Sequence, residues 1–353
     1  LHPAAEDGCA DCHAPHGGSS RALLIDVEGG DLRPLCFGCH DEEIIGQEYK
    51  HGPAAHGACA ACHDPHASDN DTLLRAAGPE LCGTCHEEIT LAMAEAAQVH
   101  SPAEDDCTDC HNPHSGPSPK MLQAEKGALC NECHDDVVTA ARESAVQHSP
   151  ALAEGECLNC HDPHAANSEP MLKKAQPELC LGCHDRPQKA GDRSVANIAA
   201  WLDKNGVWHE PIREQGCSGC HQPHGGEHAR LLKKPFPDGV YAPFDVKAYG
   251  LCFSCHDKRL ATTKTTRSVT NFRDGDRNLH FLHVNKQERG RTCRACHEVH
   301  ASSRPRQIRE SVRYGRWLMP LAFEKSGAGG SCAPGCHEKV TYTRESKAIT
   351  PGE

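Results

Sequence analysis

Apolar side chains are sparse along this chain and fall in short, regularly placed clusters. Leu, Ile, Val and Phe together number 54 of 353 residues, about 15%. A Leu or Met followed by Leu begins at Leu23, Leu73, Met121, Met171 and Leu231, and a Leu-Cys pair recurs beyond each. Two stretches rich in Ala and Glu, Glu87 to Val99 and Asp135 to Gln147, predict helices that end at a His-Ser-Pro stop. A longer helix is expected within His184 to His209. Pro235 to Ala248, rich in Pro and aromatic residues, predicts a packing loop. The rest is polar and punctuated by 31 Gly and 24 Pro, which predicts loops. The expected fold is therefore mostly irregular, with short α-helices and negligible β-structure.

So little aliphatic content, with a net charge of −12, normally marks a disordered chain. The length would suit two ordinary domains, but side chains alone cannot core them.

The cysteines resolve the conflict. All 24 fall in pairs followed at once by a histidine. Eleven pairs read C-x-x-C-H: Cys9 and Cys12, Cys36 and Cys39, Cys59 and Cys62, Cys82 and Cys85, Cys107 and Cys110, Cys130 and Cys133, Cys157 and Cys160, Cys180 and Cys183, Cys217 and Cys220, Cys252 and Cys255, and Cys293 and Cys296. The twelfth, Cys332 and Cys336, has one extra residue. Zinc ribbons and thioredoxin-like pairs also use C-x-x-C, but neither requires the histidine. C-x-x-C-H is a c-type haem attachment site: both thiols become thioethers and the histidine is an axial iron ligand. The expected proximal ligands are His13, His40, His63, His86, His111, His134, His161, His184, His221, His256, His297 and His337. Twelve haems c would then form the core, wrapped thinly by the polypeptide in one haem-cored chain.

The motifs group into six two-haem repeats, 1–50, 51–99, 100–147, 148–208, 209–282 and 283–353. The first motif of each continues to a histidine three residues past the ligand: His16, His66, His114, His164, His224 and His300. Each repeat is headed by another histidine: His2, His51, His100, His148, His209 and His283. These twelve are the candidate distal ligands. A histidine three residues past a proximal ligand cannot round the ring edge, since three residues span at most about 10 Å, so it should serve a neighbouring haem. His56, His228 and His280 remain over; His280 competes with His283 for one role, and spacing to Cys293 favours His283. Methionine is the other common sixth ligand, but Met121 and Met171 occupy a slot that is leucine elsewhere, so that slot reads as packing. Met93 and Met319 are the other two. All-histidine ligation implies low-spin, low-potential haems closed to substrate.

The net charge argues against nucleic acid and anionic membranes as partners, and no apolar run approaches the roughly 18 residues of a membrane span. Leu1 reads as a mature N-terminus. The doubled motifs resemble those of multihaem c-type cytochromes of metal-reducing bacteria and some archaea. The opening, His2 and then Cys9-Ala10-Asp11-Cys12-His13-Ala14-Pro15-His16, is similar to the start of extracellular cytochromes that polymerise into conductive filaments. That resemblance implies long-range electron transfer without catalysis, by a secreted or cell-surface protein that binds copies of itself head to tail through iron ligation. Redox partner cytochromes and extracellular electron acceptors are the other implied partners. Counting supports the same expectation: if each second haem takes its sixth ligand from the next repeat, the haem at His337 is left for His2 or His16 of another subunit. The alternative is a discrete periplasmic or outer-membrane-conduit cytochrome. The rival class is a multihaem reductase with one open haem, for which the spacing of Cys332 and Cys336 is the single hint.

Overall fold

The computed structural model describes residues 1–345 apart from 19, 21, 153–155 and 192; the end of the histidine-free tail, 346–353, lies outside the described residues. The chain forms two compact units. The first comprises residues 1–139 and 149–175, the second 140–148 and 176–353.

The longest described helices are Glu87–Glu95 and Asp135–Glu143. Each begins next to a motif histidine with two acids in its first turn, which suits the positive end of a helix dipole. Both stop earlier than expected. Gln98–Val99 and Val146–Gln147 are extended instead, because these residues are used in inter-repeat pairing. The His-Ser-Pro segment also acts differently from the expectation: it starts a helix. His100 is extended and caps Ser101–Asp105, with the proline in the first turn. His2 and His51 do the same for Pro3–Asp7 and Gly52–Ala55. A proline there has the right φ and lacks only an N–H that the first turn does not use. The helix expected within His184 to His209 is a hairpin, Gln188–Ala190 with Arg193–Val195, followed by Ile198–Lys204.

The expectation of negligible β-structure fails. Nine small sheets are present among the described residues, most of them pairs of two-residue strands. Four ribbons follow one rule: the residues before a heading histidine pair with those after the +3 histidine of the next repeat. They are Tyr49–Lys50 with Ser115–Gly116, Gln98–Val99 with Ala165–Ala166, Val146–Gln147 with Gly225–Gly226, and Val207–Trp208 with Ala301–Ser302. Strands this short carry no hydrophobic alternation, which is why the polar pattern hid them.

Among the described residues, the clusters of buried apolar side chains lie in the second unit. Leu202, Ile212 and Ala301 form one cluster, Tyr249, Ala261 and Val284 another, and Val312, Met319 and Leu321 a third. Phe236 and Phe244 of the proline-rich insert pack on Tyr249. In the first unit the buried apolar side chains are Val27, Ala166 and Leu172. At about 1.5–3 kcal/mol for each large apolar side chain fully buried, these cannot offset the ordering of some 166 residues, at about 1–2 kcal/mol each for the backbone.

Candidate functional site

Each regular motif is a single turn. In the first motif of a repeat the cysteines open a 3-10 turn such as Cys59–Ala61, and the histidine N–H donates to the first cysteine carbonyl, 3.0 Å from His63 to Cys59. In the second motif the cysteine lies in a short helix such as Gly78–Gly83, and the same bond closes from His86 to Cys82 at 3.0 Å. Both thiols and the imidazole are thereby gathered in one turn. At the twelfth motif the extra residue changes this bond: His337 donates to Pro334, 3.3 Å away, and Cys332 ends the strand Gly329–Cys332.

The first-motif histidine is then oriented from nine residues downstream. Nδ1 of His13 meets the Ala22 carbonyl at 2.8 Å, and the same contact joins His63 to Thr72, His111 to Lys120, His161 to Pro170, His221 to Arg230 and His297 to Arg306 at 2.8 to 3.0 Å. Such a bond fixes the tautomer and leaves Nε2 for a metal. The chain turns there through left-handed residues that are not glycine, among them Leu23, Leu73, Met121, Met171, Leu231 and Gln307. The Leu/Met slot is thus a backbone turn that aims a carbonyl. Its residues stand beside the turn, and strain at such a position accompanies function.

Imidazoles then face one another in pairs. The heading histidine of a repeat faces the second-motif histidine of the same repeat: His2 and His40, His51 and His86, His100 and His134, His148 and His184, His209 and His256. The +3 histidine faces the first-motif histidine of the preceding repeat: His66 and His13, His114 and His63, His164 and His111, His300 and His221. Ring centroids in these pairs are 6.0 to 6.4 Å apart. An iron about 2 Å from a nitrogen on each side, with about 1 Å from nitrogen to ring centre, spans about 6 Å. The paired residues fit the group that the cysteines would attach.

The ribbons explain the pairing. His51 N–H donates to the His114 carbonyl at 3.0 Å, and His2, His100 and His209 donate likewise to His66, His164 and His300. One ribbon thus places both partners of a two-motif repeat. Nδ1 of His51 also meets the Pro113 carbonyl at 2.9 Å, and Nδ1 of His148 that of Pro223 at 2.7 Å. His224 directly precedes the strand Gly225–Gly226 of the same kind of ribbon.

A family model for the doubled CXXCH motif matches residues 2–44, 51–90, 100–139, 148–189 and 209–261. The chain belongs to the doubled CXXCH motif family. No curated protein matches it. As a doubled-CXXCH protein it is a multihaem c-type cytochrome: its motifs hold covalently bound haem c, and its paired motifs mean electron transfer. No described helix is long and apolar enough to cross a membrane.

The last repeat of this doubled-CXXCH chain departs from the ribbon rule, and here the sequence expectation needs correcting. His280, set aside in favour of His283, faces His297 at 6.3 Å. His283 lies on the same helix, its ring stacked on Phe272 with centroids 5.9 Å apart. Burial lowers its pKa first, and the charges of Arg291 and His337 nearby lower it further. The helix Leu279–Val284 thus carries both histidines, and its i, i+3 spacing puts them on neighbouring positions of one surface. That spacing was the available signal. Asn278, fully buried, caps the helix by accepting from the N–H groups of His280 and Phe281. Its amide donates to the carbonyls of Leu260 and Thr263 at 3.0 and 2.8 Å. Sequence reasoning missed Asn278 altogether. His16, included among the distal ligands, faces no imidazole among the described residues. The premise that a second-motif haem draws its partner from the next repeat also fails, because His2, His51, His100, His148 and His209 face their own repeats. His56 turns back on the Gly52 carbonyl at 2.9 Å. Met319 lies with its sulfur 3.4 Å from Cys336 Sγ, against the thioether position.

The thiols form a second series of contacts. Cys36 interacts with Cys59, Cys82 with Cys107, Cys130 with Cys157, Cys180 with Cys217 and Cys252 with Cys293. Each joins the second motif of one repeat to the first motif of the next. Burial and the neighbouring Cys59 push the Cys36 thiol up to about 11. Within repeats the second cysteines are neighbours: Cys85 raises Cys62, Cys133 raises Cys110 and Cys255 raises Cys220, each after the larger effect of burial. Successive attachment points are therefore adjacent inside each unit.

Proposed function

We propose that this chain carries electrons through twelve haems c, each held between two histidines. The observation that carries the reading is the facing of imidazoles at 6.0 to 6.4 Å, repeated in ten pairs. Haem c, when bound, supplies an iron centre that accepts and releases electrons. The protein's part is to hold each imidazole aimed, and to keep successive attachment cysteines adjacent. Two imidazoles close an iron to substrate, which favours electron transfer over a reductase. Intact mass spectrometry should give twelve haems, and electron paramagnetic resonance a wholly low-spin ferric signal. A haem count below eleven, or a high-spin signal in the unmodified protein, breaks the reading.

The helix Leu279–Val284 sets His280 opposite His297 and carries His283 near enough to His337 for their charges to interact, so a ligand for the twelfth motif is at hand within this chain and another subunit is not required to supply it. That favours a discrete periplasmic or outer-membrane-conduit cytochrome. The second reading, an extracellular filament, draws on His16, an exposed histidine with no imidazole opposite it among the described residues. Negative-stain microscopy of the purified protein and of His16→Ala separates the two. Filaments that vanish in the variant support the second reading; single particles in both support the first.

A further inference from the structure

Charge is divided between the two units. The first holds 29 acidic and 8 basic residues, a net −21; the second holds 20 acidic and 29 basic, a net +9. Seven motifs lie in the first unit, and haem propionates only deepen its negative charge. The reversal occurs at equivalent positions of the repeat. After the second motif come Asp41-Glu42-Glu43, Glu87-Glu88 and Asp135-Asp136 in the first unit, but Asp257-Lys258-Arg259 and Glu338-Lys339 in the second, all exposed. The acid pairs also suit the helices they begin, but that gives no reason for the bases to gather in the second unit.

One hairpin of the second unit sets two exposed arginines among large exposed side chains. Ser311–Tyr314 pairs with Trp317–Pro320, and its turn presents Arg313, Tyr314, Arg316, Trp317 and Leu318 to solvent. Tyr314, Trp317 and Leu318 are 54%, 50% and 58% exposed, where a hairpin stabilised only by its own packing would turn such side chains inward. The hairpin also lies against the twelfth motif. The Trp317 ring fills the space that a side chain on Gly335 would need. Tyr314 meets Tyr241 edge to face, and the Tyr241 hydroxyl is 3.9 Å from Cys336 Sγ. Arginine, tyrosine and tryptophan are the residues that carry binding energy at protein interfaces.

We propose that this arginine hairpin docks the acidic first unit of a second copy of the chain, head to tail, beside the twelfth attachment site. The inference rests on the electron-transfer reading, since the contact would bring the last attachment site of one copy to a haem-bearing surface of another. The first unit is the occupant because its charge is the complement and because its acid pairs follow attachment motifs directly. A contact between two different surfaces of identical chains is heterologous and can repeat. It needs no iron ligand from the partner.

Sedimentation velocity of the haem-loaded protein tests this, independently of haem count and spin state. At about 0.01 M salt, where screening extends about 30 Å, the mass should rise with protein concentration; at about 1 M, where it extends about 3 Å, the protein should be monomeric. Arg313→Glu with Arg316→Glu should weaken low-salt association at least tenfold with an unchanged haem spectrum, whereas Arg313→Lys with Arg316→Lys should largely keep it. No association of the unmodified protein at low salt, or association that ignores salt or the glutamate variant, overturns the proposal. So does binding of the hairpin to anionic phosphatidylserine vesicles in place of self-association.

Discussion

The first unit arranges its seven motif histidines with two-residue ribbons and carbonyl contacts around three buried apolar side chains, while the second arranges five among three apolar clusters. The difference teaches what each unit depends on. In the first, folding energy must come from the attached groups and their ligands. In the second, Tyr249, Leu202 and Val312 add a core of ordinary kind. Two of the four ribbons also lie in the second unit, one of them against the Leu202 cluster, and the last repeat replaces a ribbon with a packed helix.

Several experiments would break or sharpen that contrast. The largest effect should follow haem loss. A chain made without the attachment machinery should lose amide protection throughout the first unit and keep some around Tyr249 and Asn278 in the second, read by hydrogen exchange. Equal loss in both units would erase the contrast. Next, Tyr249→Ala should cost about 3–5 kcal/mol, as for a large aromatic removed from a core, read as a lowered melting temperature. Asn278→Ala should cost about 1–2 kcal/mol for the lost cap, and should also loosen His280 and His283 together. Its signature is high-spin character at two haems, against one for His280→Ala; unchanged spectra would detach the cap from the ligands.

Acid should act on the second unit. Burial, with the charge of His297, lowers the His280 pKa to about 4, and burial, with that of His221, lowers the His300 pKa to about 4. The unfolded chain titrates at about 6.5. Between these values the unfolded state binds more protons, so the contribution is full above about pH 6.5 and falls, by up to about 1.4 kcal/mol per pH unit for each histidine, as pH drops to about 4. Denaturant midpoints of haem-free second-unit structure at several pH values measure it; a flat profile contradicts the burial. The smallest effect belongs to the turn at Lys120, where φ is 66°. Lys120→Gly should stabilise by no more than about 1 kcal/mol while the His111 contact to its carbonyl remains.

Much of this was legible in the residues. Cysteine spacing gave the motifs, and recurrence of the +3 and heading histidines picked out most of the histidines that face a motif histidine, though not which faces which. What stayed hidden lacked a periodic signal. Ribbons of two residues such as Gln98–Val99 are too short for alternation, and His-Ser-Pro reads as a stop or a start depending on which side pairs. His280 was ranked behind His283 because the sixth repeat was fitted to the rule of the other five, although His280 and His283 have plain helical spacing. Asn278 is a single buried amide, visible only once the helix it caps is known.

The ribbons also impose an order in time. A chain that emerges N-terminus first brings out His2 before His40 and His51 before His86, so a second-motif histidine finds its partner already made. His13 and His63 must wait for His66 and His114, which belong to the following repeat. Within the ribbon-held repeats each first motif therefore remains half completed until its successor has appeared, and each new repeat finishes the one before it. The last repeat breaks the sequence of waiting. His280 and His283 precede both His297 and His337, so its motif histidines emerge after the helix Leu279–Val284.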